Sequence, residues 1–212
     1  MTQHFEIIPA ILVQEKEELQ RQLTLVRGLV ERVQIDILDG VFADNKTVSV
    51  EVLQQAHTEL LIDVHLMVDN PLGYLNRCDA LGVTRVYAQV EQMKDQEEFV
   101  ESAGDLGMQV GLALDLQTPV VAIDKLLGHL DGVLLMAVAA GFQGQEFDEG
   151  VLEKIEELRG EGFEGDICID GGLDEDTIRI CLEKGANHFA VGSELWKAKD
   201  IKQKLEELKG IG

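Results

Sequence analysis

Three short apolar runs end in residues able to do chemistry. They read Val33-Gln34-Ile35-Asp36-Ile37-Leu38-Asp39-Gly40, Asp63-Val64-His65-Leu66-Met67 and Cys168-Ile169-Asp170-Gly171-Gly172. Side chains of an extended strand alternate between two faces. Gln34 and Leu38 therefore share a face with Asp36, Asp63 and Met67 with His65, and Cys168 with Asp170. Two carboxylates and an imidazole gathered in an apolar setting are costly unless they pair or hold a cation. Such a trio can ligate a divalent metal through oxygen and nitrogen. It can also pass protons, one carboxylate removing a proton and the other returning one. Taken singly, each has a plain structural role: Asp36 capping a turn, His65 satisfied in the core, Asp170 holding a loop. Their joint placement at strand ends favours function.

Glycines gather late in the chain. One loop runs Ala139-Ala140-Gly141-Phe142-Gln143-Gly144-Gln145-Glu146-Phe147, and two others open with Gly171-Gly172 and Gly192-Ser193. Bare backbone N–H groups at such positions can approach an anion closely, although tight turns also need glycine.

The elements that must position these residues follow a regular rhythm. Apolar β-rich runs occupy 5–12, 32–38, 60–67, 85–89, 109–114, 132–136, 166–170 and 188–191. Most are short apolar runs, as suits parallel strands covered by helices. Between them, helical spacing covers 15–30, 50–57, 71–81, 96–106, 120–127, 150–158, 175–184 and 201–208. Eight strand–helix units in 212 residues predict one closed (β/α)8 TIM barrel spanning 1–212. The competing open doubly-wound sheet would carry a glycine-rich turn after its first strand. The turn here, Pro9-Ala10-Ile11-Leu12, has none. In a barrel, Asp36, His65 and Asp170 converge on the mouth, and loops seven and eight form the expected phosphate site.

Composition narrows the partners. Asp and Glu outnumber Lys and Arg by 40 to 18, for a net charge of −22. That surface disfavours nucleic acid and anionic membrane. It also repels a phosphorylated substrate, so an anion needs a local cradle of backbone N–H groups. Three cysteines without a C-x-x-C pair point to a reducing cytoplasm rather than a disulfide framework. The start, MTQHFEIIPAIL, reads as neither signal peptide nor membrane span. His4, His57, His129 and His188 show no pattern of partners and read as surface or packing residues, and Trp196 as packing the last helix.

The motifs together resemble the ribulose-phosphate 3-epimerase family from the first strand to the last helix. The matching pieces are Ile35 to Gly40, Asp63 to Val68 with Asn70-Pro71, Thr118-Pro119, the Gly141-Phe142-x-Gly144-Gln145-x-Phe147 loop, Asp170-Gly171-Gly172 and Gly192-Ser193. The resemblance implies a 1,1-proton transfer beside the carbonyl of a phosphorylated ketose. Asp36 would remove the proton and Asp170 deliver one to the opposite face. A divalent metal of the zinc, iron, manganese or cobalt type would sit on Asp36, His65, Asp170 and the position of Gln34. His65, Gly141, Phe142, Gln143, Gly144, Gly171, Gly172, Gly192 and Ser193 would bind substrate and phosphate, with the loop around Gln143 as a lid. Leu38, Met67 and Met136 would cushion the enediolate. A homo-oligomer in the cytoplasm is the expected form.

The chain also departs from the family pattern. Gln34 stands where the family has a histidine, and an amide oxygen is a weaker ligand for such a metal. Ala10 replaces a serine near the substrate, Leu38 a methionine, and Gln89 a histidine. These changes leave three outcomes: an epimerase with a loosened metal site, which could lack the metal altogether; an epimerase for a different ketose phosphate; or a phosphosugar-binding barrel without turnover. Keeping both Asp36 and Asp170 favours an enzyme. An aldolase or decarboxylase of the same barrel type would want a lysine among the strand-end carboxylates, and none is present.

Overall fold

The computed structural model describes residues 4–56 and 58–211. Eight parallel strands close in sequence order, β1 pairing with both β2 and β8. They are β1 (Glu6–Ile11), β2 (Arg32–Leu38), β3 (Leu61–Met67), β4 (Arg85–Gln89), β5 (Gln109–Leu114), β6 (Gly132–Met136), β7 (Asp166–Asp170) and β8 (His188–Val191). The helices are α1 (Lys16–Val26), α2 (Leu75–Ala80), α3 (Gln96–Asp105), α4 (Val151–Gly160), α5 (Glu175–Lys184), α6 (Ser193–Trp196) and α7 (Ile201–Lys209). The fold is thus the (β/α)8 TIM barrel expected from the strand rhythm. The main core lies between strands and helices, where Val33, Ile35, Val64, Leu112, Val133 and Ile169 meet Leu19, Phe99, Ile155 and Ile178.

A second, smaller cluster fills the barrel interior. Tyr87 is its largest member, and the strands across from it leave room. A Cβ on Gly111 would lie 2.3 Å from the Tyr87 ring, and one on Gly132 would lie 2.6 Å from its hydroxyl. Steric exclusion thus fixes two glycines inside strands, where glycine is otherwise unfavourable.

Several helices are shorter or tighter than their periodicity predicts. The helix expected over 15–30 stops at Val26, because Arg27 leaves helical geometry and Gly28 takes φ +73°. The pattern over 50–57 forms a 3-10 turn, Val50–Gln55, and His57 lies outside the described residues. The 71–81 segment divides into a 3-10 turn, Pro71–Tyr74, and α2. The 120–127 segment is two 3-10 turns, Val120–Ala122 and Asp124–His129. Amphipathic spacing fixes which face is buried, and in segments this short it does not separate i→i+3 from i→i+4 bonding. The clearest local signal is at α5. Asp174 and Thr177 form a reciprocal capping box directly after Gly171-Gly172-Leu173, and Gly185 ends the helix in the left-handed region at φ +110°. Among the described residues, no helix is long and apolar enough to cross a membrane.

Candidate active site

Strand register brings the three ionisable residues together. Asp36 of β2 is level with His65 of β3, and Asp170 closes the group from β7. One ligand atom from each lies within 4.8 Å of the other two. His65 is fully buried, with Nδ1 at 3.4 Å from Asp36 Oδ1 and 3.5 Å from Asp170 Oδ2. These are ion-pair separations outside good hydrogen-bond geometry, and Nδ1 has no hydrogen-bond partner. Gln34 reaches both carboxylates through its amide nitrogen, at 2.8 Å to Asp36 Oδ1 and 2.6 Å to Asp170 Oδ2.

The electrostatics follow from that crowding. Burial is the largest influence on Asp36 and lifts its pKa above the ordinary carboxylate range. The Asp170 charge lifts it further, while His65 and Gln34 oppose the rise. Burial acts on His65 in the opposite sense, but the two facing carboxylates outweigh it and raise the ring to about 9. Two anions, one unpartnered imidazole nitrogen and an amide form a donor set suited to a divalent cation. Asp36, Asp170 and His65 Nδ1 could hold it directly, and Gln34 could join only with its amide turned to present oxygen. Binding there would displace the His65 proton.

Above this group lies a cavity. Asp36 and Asp170 line its floor, Met67 and Met136 its apolar side, and Gly141, Phe142, Gln143, Gly144, Gly171, Gly172, Gly192 and Ser193 the loops around it. Leu38, expected among the cushioning residues, does not line the cavity. It is buried, with Cδ2 3.4 Å from where a Cβ on Gly141 would stand. Gln34 and His65 also lie behind the lining.

The glycines serve a packing purpose as well. Gly171 takes φ +106°, and a Cβ there would meet Val138 at 2.4 Å. Gly172 takes φ +65°, and a Cβ there would meet the Phe147 backbone at 2.6 Å. Loops six and seven are therefore in backbone contact, closer than any side chain allows. Loop six is tied down at one end by Asn45, which donates to the Gly141 carbonyl at 2.7 Å, and inside by Gln145, which donates to the Ala139 and Phe142 carbonyls. Its tip, Phe142, is half exposed.

Sequence reasoning missed the contacts of three residues. Lys197 was not singled out, yet its ammonium lies 3.7 Å from the Cβ position of Gly144 at the edge of the glycine loops. Trp196 does more than pack: it ends α6, and its indole N–H donates to the Ala10 carbonyl at 2.6 Å, tying loop eight to β1. His188 was assigned no partners, but it is buried among Arg85, Asp166 and Glu6. Nothing local in the sequence signals these contacts, since the partners lie far apart along the chain.

A closed barrel whose strand ends carry facing carboxylates beneath glycine-rich loops defines a class, the (β/α)8-barrel enzymes that work at the C-terminal end of the sheet. Comparison with known proteins gives the family. The family model described as "Ribulose-phosphate 3 epimerase family" matches residues 6–196. A ribulose-phosphate 3-epimerase of Bacillus subtilis (strain 168) is 30% identical over 97% of this chain and 98% of its own length. The cytoplasmic isoform from Oryza sativa subsp. japonica is 31% identical over 96% and 92%. Among solved structures, a mutant tryptophan synthase alpha-subunit from Pyrococcus furiosus superposes with TM-score 0.74 at 18% identity over 99% of this chain and all of its own, a likeness of fold alone. The chain belongs to the ribulose-phosphate 3-epimerase family. Its enzyme class is that of isomerases acting on carbohydrates.

Proposed function

We propose that the chain interconverts phosphorylated ketoses of the ribulose 5-phosphate and xylulose 5-phosphate kind by proton transfer between two aspartates. The observation that carries this reading is the pair Asp36, buried, and Asp170, partly buried, together on the floor of one glycine-walled cavity. Asp36 takes the proton from the carbon beside the ketone, and the bonding electrons move onto the carbonyl oxygen to give an enediolate. Asp170, which enters this half of the cycle protonated, gives its proton to the opposite face, the electrons fall back, and the configuration is inverted, leaving Asp36 protonated and Asp170 ionised. The raised pKa of Asp36 makes it a stronger base than an ordinary carboxylate. In the reverse direction the two residues exchange roles.

A divalent cation held by Asp36, Asp170, His65 and a turned Gln34 would supply Lewis-acid stabilisation of the developing oxyanion, worth several kcal/mol. Met67 and Met136 keep water from the reacting carbon. The glycine loops around Gly171, Gly172, Gly192 and Ser193, with Lys197 beside them, receive the phosphate through close backbone approach. The lid from Gly141 to Gly144 closes over the sugar.

The test is incubation with ribulose 5-phosphate in deuterated water. Deuterium should enter at the epimerised carbon as xylulose 5-phosphate forms. If no ketose phosphate exchanges hydrogen and Asp36→Asn leaves every readout unchanged, the reading fails. Thermal stabilisation by sugar phosphates without exchange would instead mark a binding protein.

A further inference from the structure

The two nitrogens of His65 face different worlds. Nδ1 looks at Asp36 and Asp170. Nε2 looks away from the cavity at the amide of Gln89, 3.1 Å distant and fully buried. Which end of that amide meets the ring is decided by its other neighbours, the Ala113 carbonyl and the Glu91 carboxylate. Both are acceptors. An amide oxygen turned toward them would be left against two negative atoms. With the nitrogen turned toward them, Gln89 Nε2 donates to Ala113 O at 3.2 Å and to Glu91 Oε2 at 2.8 Å, and Gln89 Oε1 accepts from His65 Nε2 at 3.1 Å. A neutral imidazole has one N–H and one lone pair. Once a cation displaces the second proton from the ring, a proton held on Nε2 leaves the lone pair on Nδ1, aimed between the two carboxylates.

Glu91 is itself held. Its Oε1 accepts from the Asp115 backbone N–H at 2.8 Å. The Asp115 side chain accepts from the Ala140 backbone N–H at 3.3 Å, where the lid begins, and Lys154 donates to the Asp115 carbonyl at 2.7 Å. The amide that orients the histidine is thus set by a carboxylate fixed on the frame of the lid.

We infer that Gln89 and Glu91 are positioning residues for His65, fixing the tautomer that presents Nδ1 as a ligand to a divalent cation. The inference rests on the metal-assisted reading above. Without the pair, the ring can take the opposite tautomer, whose Nδ1–H donates to Asp36 or Asp170 and cannot ligate.

The test is zinc affinity by chelator competition, with 15N spectra of the zinc-loaded full chain. In the parent protein the His65 proton should sit on Nε2. Gln89→Met, similar in volume but unable to accept, should weaken zinc about 10- to 100-fold, the usual cost of losing such a partner. Glu91→Gln, at an exposed position that leaves the fold alone, should weaken zinc by a smaller factor, because an amide no longer dictates the orientation of Gln89. If the parent binds zinc and both variants bind it equally tightly, or if the proton is on Nδ1, the inference is overturned while metal assistance stands. If the parent binds no divalent cation, both fall together.

Discussion

The barrel has a polar cluster at each end, and the two are built in opposite ways. At the N-terminal end, Arg32 meets Asp63 and lies 3.4 Å from Glu6. Arg85 donates to Asp166 at 2.7 Å and to the Tyr87 hydroxyl at 3.0 Å, and Asn187 donates to the other Asp166 oxygen. Guanidiniums answer carboxylates there, although Arg32 Nε, Arg85 Nε and Asp63 Oδ2 are left without a hydrogen-bond partner among the described residues. At the C-terminal end, Asp36 and Asp170 face each other with no arginine or lysine between them. Among the described residues, the Gln34 amide and the His65 ring answer them, and against burial the two carboxylates raise that ring to about 9 in turn. Charges balanced within the fold hold it shut. Like charges left facing each other are an arrangement tolerated where a ligand completes it.

The sharpest way to break this contrast is to cut one member from each end. Asp36→Asn should lower the exchange rate by about 10²–10⁴, the span expected of a positioned acid or base. It should leave the urea-unfolding free energy unchanged or slightly larger, since it relieves a facing pair of anions. Arg85→Met should do the reverse. It strands Asp166 and should cost about 3–5 kcal/mol of stability, with little change in rate per folded molecule. Equal losses of stability in the two variants would show that the ends are not built differently.

The sequence-legible part of the molecule is the part set by local chemistry. Strands such as 32–38 and 85–89 were predicted with the bounds observed, because alternate positions of each are apolar and a buried parallel strand has sharp ends. Period-two alternation placed Asp36, His65 and Asp170 toward the interior, and closure of the barrel brought them together. What stayed hidden depends on partners distant in the chain. The bridge from Gln34 to Asp170 spans 136 residues, and the contact of Arg85 with His188 spans 103. Leu38 shares the face of Asp36 yet ends up under Gly141, because alternation gives a direction and not what loop six lays on top.

A middle-sized effect sharpens the open end. Gln34 now donates to the carboxylates and offers oxygen to a cation only after its amide turns. Gln34→His would replace that donor with an imidazole nitrogen. Zinc affinity, measured by chelator competition, should rise by about one to two orders of magnitude. Arg32, one strand position pair below, belongs to the closed end, and its substitution should leave zinc affinity untouched. If parent protein already retains a full equivalent of metal against chelator, the weakened-site reading is wrong.

The smallest effect tests the closed end by pH. Burial is the main cause that pushes His188 down to about 4. Asp166 opposes this, and the Arg85 charge reinforces it. In the unfolded chain histidine titrates near about 6.5. As pH falls below that value, the unfolded state gains a proton that the folded barrel refuses until about 4. Stability carried by neutral His188 is therefore complete above about 6.5 and lost progressively on the way down to 4. His188→Gln keeps a polar group beside Arg85 without titrating. Its urea-unfolding free energy should fall less steeply across that window, by at most about 1.4 kcal/mol per pH unit. Parallel curves for parent and variant would mean that His188 is not held neutral, and that the closed end tolerates a charge the contrast says it must exclude.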